Sequence, residues 1–299
     1  MAIRPERLRV AAPAKINLFL HVMRKRADGY HDLQSLVAFA DIGDELALAR
    51  DTDFSLAVEG AFAKVLEGEG DNLVLRAARA LAARLPNIAG ARITLTKNLP
   101  VASGVGGGSA DAAAALRGLV ALYGEALDAN ALIALAASLG SDISVCVASE
   151  PAWMEGRGEI LTPLAPLPPA HIVLVNPGVA VATAQVFRSL VIRSEELPLA
   201  PPPAFASLSA LTRYLARTRN DLEAPALAIA PTIQAALDAL SRNGAAFARM
   251  SGSGATCFGL FETAAKAQAA ARAIAKTEPD WWARAGALAD PSAAKPREF

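Results

Sequence analysis

The first sixty residues alternate between apolar and polar positions in short runs, the period that a half-buried strand imposes. Predicted strands cover Arg7–Ala12, Lys15–Met23, Leu33–Ala40, Glu45–Arg50 and Phe54–Val58, with turn residues between them. Asn72 to Leu85 then reads as a helix capped by Asp71 or Asn72. A strand, Ala91–Lys97, leads through a glycine-rich loop into helices over Ser109–Tyr123 and Ala129–Leu139. Ile143–Ala148 and Ala152–Glu155 return to strand. The proline-rich run Leu161–Ala170 marks a boundary, so the chain divides into residues 1–165 and 166–299. Past it come a strand, His171–Val175, the turn Asn176-Pro177-Gly178, and helices over Ser207–Leu215 and Thr232–Arg242. A strand pair, Ala245–Met250 and Ala255–Phe261, flanks the turn Ser251–Gly254. A helix, Ala264–Ala275, a last strand, Trp281–Ala285, and a loose tail from Pro291 follow. Strands clustered and mixed with helices, without strict βαβ alternation, predict an α+β fold.

Composition narrows the function classes. With 53% hydrophobic and 19% charged residues in 299, the chain belongs with globular proteins. Lys+Arg and Asp+Glu both number 29, which argues against a nucleic-acid-binding surface and confines any anion site to one locality. No run of about eighteen uncharged apolar residues is present, and Lys15 and Asn17 interrupt the apolar start. The expectation is a cytoplasmic protein with no membrane segment, as a monomer or weak homodimer. Cys146 and Cys257 lie far apart without metal-ligand spacing, so both are expected as buried thiols.

The most informative segment is Pro100-Val101-Ala102-Ser103-Gly104-Val105-Gly106-Gly107-Gly108-Ser109-Ala110. Glycines feeding a helix N-terminus let the backbone approach a ligand and leave amides unpaired, with the positive end of the helix dipole behind them. That is a phosphate cradle. It is not a Walker loop, since the chain has no Gly-Lys dipeptide. Nor is it the dinucleotide fingerprint, because Ser109 or Asp111 falls where the third glycine belongs.

Four other positions invite chemistry. Lys15 and Asn17 share one face of an apolar strand, and a half-buried lysine there needs an anion or carboxylate. An edge-strand lysine that discourages aggregation is the other reading, and the strand alone does not separate them. Asp142 enters an apolar run after a helix and either meets a cation or caps the turn. Tyr30 and His31 follow a hairpin turn and could stack on and hydrogen-bond a flat ring, or simply pack the loop. The Ser251–Gly254 turn suggests a close backbone approach but is common among hairpins. His21 and His171 read as structural.

Three blocks taken together, PAKINL (Pro13–Leu18), PVASGVGGGSADAAA (Pro100–Ala114) and MSGSGATCFGLF (Met250–Phe261), resemble the GHMP kinases in order and separation. The resemblance runs from about Val10 to Phe261 and includes DNLVLRAARAL and GRGEILTPL, with RADGYH (Arg26–His31) its most specific segment. It implies a two-domain α+β kinase with its active site in the cleft between domains, the glycine-rich loop holding ATP and Mg²⁺ neutralising its phosphates. The implied reaction moves the γ-phosphoryl group to the 2-hydroxyl of a cytidine diphosphate-linked methylerythritol, a small-molecule substrate of non-mevalonate isoprenoid synthesis.

The same resemblance distributes roles. Asp142 would accept the hydroxyl proton, with Lys15 as its electrostatic partner. Ser109 would be a metal ligand. Tyr30 would stack on the cytosine, His31 would bond its polar edge and Phe187 would close the other side. Asn17 would hold the erythritol portion and Thr183 would sit near its phosphates or sugar. Asn72 and Lys97 are candidates for adenine contacts. Ser144 and Asn176 depart from the family pattern, in which proline and histidine are usual, and are expected to alter local packing only. Mevalonate or homoserine would be the substrate of another kinase on this scaffold, but neither offers a base for Tyr30, His31 and Phe187 to grip. A catalytically silent nucleotide or RNA binder would have no use for Lys15 and Asp142.

Overall fold

The computed structural model describes residues 6–67, 72–191, 198–289 and 294–298. Asp71, one of the two predicted caps, and Pro291 lie outside them. The observed fold is α+β, as the pattern predicts, with two sheets.

Two long strands dominate the first sheet. β1 (Arg7–Lys25) and β2 (His31–Arg50) pair antiparallel along their length, so four of the predicted strands are halves of two. The register shift at Pro13/Lys15 falls at the break the sequence suggested between Ala12 and Lys15, and two more, at Asn17/Phe19 and Val22/Arg24, follow in the second half of β1. β3 (Phe54–Glu59) and β4 (Ala91–Thr96) extend the sheet, parallel to each other and joined through α1 (Leu73–Ala82), whose N-cap Asn72 accepts from the Val74 amide. β5 (Ala152–Gly156) and β6 (Ile160–Pro163) form a hairpin on the other half of β2, and β6 occupies the start of the predicted proline-rich boundary. β11 (Arg297–Glu298) pairs with the outer end of β1.

Against this sheet pack α2 (Gly107–Tyr123), α3 (Ala129–Leu139) and α4 (Ser141–Ala148). α4 corrects the strand expected over Ile143–Ala148. Ile143, Val145 and Val147 alternate like strand residues, yet Ile143, Ser144, Val145 and Cys146 are all buried, which tertiary packing permits and period 2 does not anticipate. The helix end is satisfied from outside: Arg117 Nη1 on α2 donates to the Cys146 carbonyl at 2.6 Å.

The second sheet has the order β10 (Trp282–Ala287), β7 (His171–Asn176), β9 (Cys257–Phe261), β8 (Phe247–Met250), antiparallel throughout. Around it lie α5 (Thr183–Arg188), α6 (Leu208–Leu215), α7 (Glu223–Ile229), α8 (Thr232–Arg242) and α9 (Ala264–Thr277). α5 and α7 had no counterpart in the sequence reading, being too short to display a helical period. Ile16, Leu18 and Phe19 from β1 and Leu36 and Ala38 from β2 share one buried cluster with Leu174, Phe258 and Leu260 of the second sheet, so the two sheets meet across an apolar seam.

The inner stretch of β1 has one edge on β2 and uses the other as a template for distant segments. Lys15 N donates to the Val105 carbonyl at 2.9 Å, Asn17 N to Ser251 Oγ at 3.1 Å, and Leu20 N to the Arg219 carbonyl at 3.0 Å. A strand edge must find partners for its amides. Here those partners are the glycine-rich loop and the Ser251–Gly254 turn, and both are thereby fixed beside Lys15.

Candidate active site

The glycine-rich loop enters α2 through Gly106, which caps the helix in the left-handed conformation (φ 64°) with no side-chain cap. The helix begins two residues earlier than Ser109, and Gly106, Gly107, Gly108 and Ser109 all line one cavity. The loop is backed by the Ser251–Gly254 turn: Ser251 Oγ donates to the Gly104 carbonyl at 3.0 Å and Thr256 N to the Ser103 carbonyl at 3.0 Å. A Cβ at Gly104 (φ +79°) would collide with the Ser251 carbonyl and with Gly254. That turn, weak evidence in the sequence, is a wall of the site.

Lys15 is buried, and its Nζ donates to Asp142 Oδ2 at 2.6 Å. Asp142 sits in the first turn of α4 with its side chain 38% exposed. Burial rules out the edge-lysine reading: Lys15 is only 4% exposed, and the anion a buried lysine requires is the Asp142 carboxylate. Both residues line a cavity of about 1060 Å³ together with Gly104, Gly106, Gly107, Gly108 and Ser109.

The far end of the same cavity carries the aromatic set. Tyr30, His31, Thr183 and Phe187 all line it. Thr183 opens α5 and bonds Ser253 Oγ at 2.8 Å, and Phe187 follows one turn later on the same face. The arrangement differs from expectation in one respect. Phe187 stacks on His31, with ring centroids 4.9 Å apart and planes at 27°, instead of lying opposite Tyr30. Tyr30 is 56% exposed, and the guanidinium of Arg157 lies 5.0 Å above its ring. Partial burial, helped by the nearby Lys25 charge, lowers the His31 pKa below the usual 6.5, which favours the neutral imidazole.

Asn17 lines the cavity at its floor. Its Nδ2 donates to Ser35 Oγ at 2.8 Å, while Oδ1 is buried without a partner, an acceptor available to a ligand hydroxyl. His21 behaves structurally: Nε2 accepts from the Arg219 amide. Asn176, where histidine is usual, donates to Thr256 Oγ1 at 2.9 Å and accepts from Gly178 N at 2.8 Å, so the turn is held locally. Ser144 is buried with its hydroxyl unpartnered. Both thiols are buried, and burial pushes Cys146 up to about 12, which excludes it as a nucleophile.

A buried charge cluster behind the loop was not anticipated. Lys97 Nζ donates to Asp44 Oδ2 and, at 2.7 Å, to Asp111 Oδ2, all three buried behind the loop. The Lys97 ammonium, a candidate for an adenine contact by its position, is thus committed to two carboxylates. Burial opposes its charge, but Asp111 and Asp44 hold its pKa above 10.5. Asp111 goes the other way: burial, and the Asp44 charge beside it, push it up to about 8 despite Lys97. Two carboxylates facing one ammonium would leave a buried net charge, which a proton on Asp111 removes. Asn72, Lys97, Gly107 and Asp111 also border a second hollow of about 220 Å³ adjoining the loop.

Among the described residues no group of three or more His, Cys, Asp or Glu side chains converges on a point. Ser109 and Asp142 share the cavity, a donor set that fits a Mg²⁺ held mainly by phosphate oxygens. No helix among the described residues is long and apolar enough to cross a membrane.

The chain resembles known proteins over most of its length. Residues 72–150 match the GHMP kinases N terminal domain family and residues 203–280 the GHMP kinases C terminal family. A 4-diphosphocytidyl-2-C-methyl-D-erythritol kinase from Paracoccus denitrificans is 54% identical over 286 residues, covering 95% of this chain and 98% of the relative. The enzyme of that name from Parvibaculum lavamentivorans is 51% identical over 91% of this chain and 95% of its own length. A crystal structure of a 4-(cytidine 5'-diphospho)-2C-methyl-D-erythritol kinase superposes with a TM-score of 0.75 at 35% identity, over 94% of this chain and 99% of that one. A homoserine kinase from Cytophaga hutchinsonii, at 17% identity and a TM-score of 0.68, shares the fold.

Proposed function

The chain belongs to the GHMP kinases, and we propose that it transfers the γ-phosphoryl group of ATP to the 2-hydroxyl of 4-diphosphocytidyl-2-C-methyl-D-erythritol. One observation carries the reading: a single cavity holds an amide cradle, a Lys15–Asp142 ion pair and an aromatic cluster. The cradle suits a triphosphate, the ion pair a hydroxyl to be deprotonated, and the rings a nucleobase.

Phosphoryl transfer leaves little covalent work for protein groups, so positioning and charge stabilisation carry most of the rate. The Gly106–Ser109 amides, with the α2 dipole behind them, receive phosphate oxygens where charge accumulates. Asp142 receives the proton of the attacking hydroxyl, and its partly exposed carboxylate opens onto the cavity. Lys15, held at 2.6 Å, orients that carboxylate and supplies positive charge beside the developing alkoxide. Asn17 Oδ1 accepts from an erythritol hydroxyl. Ser109 and Asp142 are the protein oxygens available to Mg²⁺, which when bound offsets phosphate charge. The 220 Å³ hollow bordered by Asn72 supports an adenosine site beside the loop. The change of sheet between Pro163 and His171 supports two units divided near residue 165, with β11 returning from the second unit to the first sheet.

The test is substrate choice. Purified protein is expected to consume ATP with the cytidylated methylerythritol and to ignore mevalonate and homoserine. Comparable turnover of either small alcohol would overturn the assignment.

A further inference from the structure

The Lys15–Asp142 pair joins two elements of different kinds, a strand and a helix. Lys15 stands just past the register shift at Pro13/Lys15, where the β1–β2 ladder is interrupted and does not dictate its position. Asp142 stands in the first turn of α4, an eight-residue helix with no side-chain cap at its N-terminus. The helix ends on Ser149 at a φ of 51°, a left-handed conformation that is costly for a residue other than glycine. Neither element fixes the other, yet Nζ and Oδ2 lie 2.6 Å apart.

One side chain bridges the two from a third element. Arg117 lies on α2, the helix whose N-terminus forms the cradle. Its Nη1 donates to the Cys146 carbonyl at 2.6 Å, one turn from Asp142 on the same face of α4. Its Nη2 donates to the Ala11 carbonyl at 2.8 Å, on β1 ahead of the register shift. Nε donates to the Ala294 carbonyl at 3.2 Å, and longer contacts from Nη1 reach the Val147 carbonyl and the Ser149 hydroxyl. The guanidinium thus fastens backbone to backbone. Burial lowers Arg117 to about 10 and leaves it cationic at neutral pH. An apolar side chain would fill the same space without that desolvation penalty. What a guanidinium adds is a rigid planar fork whose two ends keep a fixed separation.

Resting on the function proposed above, we propose that Arg117 is a positioning residue for phosphoryl transfer: by clamping the end of α4 to β1, it sets the span between Asp142 and Lys15. It also refers both to the cradle, which sits at the head of its own helix. Helical rise puts Cys146 and Asp142 only about 6 Å apart along the axis, so a tilt of α4 at one is carried to the other. A shift of about 1 Å is enough to break the contact between ammonium and carboxylate and to cost turnover without changing what binds.

Two variants separate the clamp from the charge. Arg117→Met removes both, whereas Arg117→Lys keeps a cation that reaches one carbonyl but cannot fork. Both are expected to lower kcat about tenfold or more, with the KM values for ATP and acceptor within about twofold of the wild type. Crystals of Arg117→Lys should show Lys15 Nζ and the Asp142 carboxylate out of hydrogen-bond contact. In a Lys15→Met background either substitution should cost little further turnover, because the span it sets has lost one member. A folded Arg117→Lys with wild-type kcat, or a loss that persists in full without Lys15, would overturn the role and leave Arg117 as a stabilising group. Arg117→Lys decides the matter where loss of the cation unfolds the protein. A wild type that consumes no cytidylated acceptor would sink the functional reading, and the variant crystals would still judge the clamp, an undisturbed Lys15–Asp142 pair counting against it.

Discussion

The imidazole of His31 rests on the phenyl ring of Phe187, 4.9 Å between centroids. That is the spacing of rings in direct contact, and no base fits between them as they stand. Cytosine must therefore part this pair or lie on Tyr30, which is 56% exposed. Parting the pair exchanges one stack for two. Phe187→Ala is expected to raise the acceptor KM about tenfold, the scale of one base–aromatic stack, with a smaller effect on the ATP KM. A CDP-bound structure should show the His31 and Phe187 rings separated, and an intact pair with cytosine elsewhere would assign the base to Tyr30 alone.

Asp142 and Lys15 come from positions 127 residues apart and act in the proposed mechanism as a unit. Asp142→Asn removes the proton acceptor and keeps the shape, so kcat should fall about 100-fold or more while ATP binding is nearly unchanged. Lys15→Met should also lower kcat, and the double variant should be little worse than the more damaging single one, because each member has no function without the other. Multiplicative losses would mean that the two residues serve separate steps.

What the sequence revealed of this site follows the range of the interactions involved. The phosphate cradle is encoded by a few consecutive residues, Gly104 to Ser109, and its chemistry can be read from them. Lys15 and Asn17 share a face through strand geometry, and that too is local. The partnership of Lys15 with Asp142 is not local, and no spacing rule reaches across 127 residues. Arg157 sits in a Glu-Gly-Arg-Gly-Glu turn that resembles any exposed hairpin, and only the fold lays it on Tyr30. The buried cluster of Asp44, Lys97 and Asp111 could not be read from the sequence, because burial of an ionised group is rare without partners and these partners lie 14 and 53 residues apart along the chain. The strand misread over Ile143–Ala148 has the same origin: Arg117 and the helices beneath decide its conformation, not its own alternation.

The loop and the Ser251–Gly254 turn touch so closely that Gly104 admits no side chain. Gly104→Ala would add a Cβ at a φ of +79° and against the Ser251 and Gly254 backbone. Relief requires the two segments to separate, which also disturbs the cradle. The variant should unfold several degrees below the wild type and show a raised ATP KM. A variant with normal stability and normal ATP KM would mean that the wall is not needed to hold the loop.

The buried Asp44–Lys97–Asp111 cluster predicts how stability depends on pH. Burial raises Asp111 to about 8 in the fold, whereas in the unfolded chain it titrates near the ordinary 3.8. Between those values the folded state holds a proton that the unfolded state has released. Stability from this group is therefore present at acid pH and is lost as pH rises toward 8. Asp111→Asn keeps a neutral side chain of the same shape at every pH and has no such slope. Melting temperatures of the two proteins, measured from pH 5 to pH 9, should diverge with rising pH, the variant gaining on the wild type until about pH 8 and holding a constant lead beyond it. Lys97 keeps its charge across this range, since Asp111 and Asp44 hold its pKa above 10.5, so the divergence belongs to Asp111. Parallel curves would show that Asp111 is ionised throughout, with Lys97 balancing both carboxylates and no proton retained by the fold.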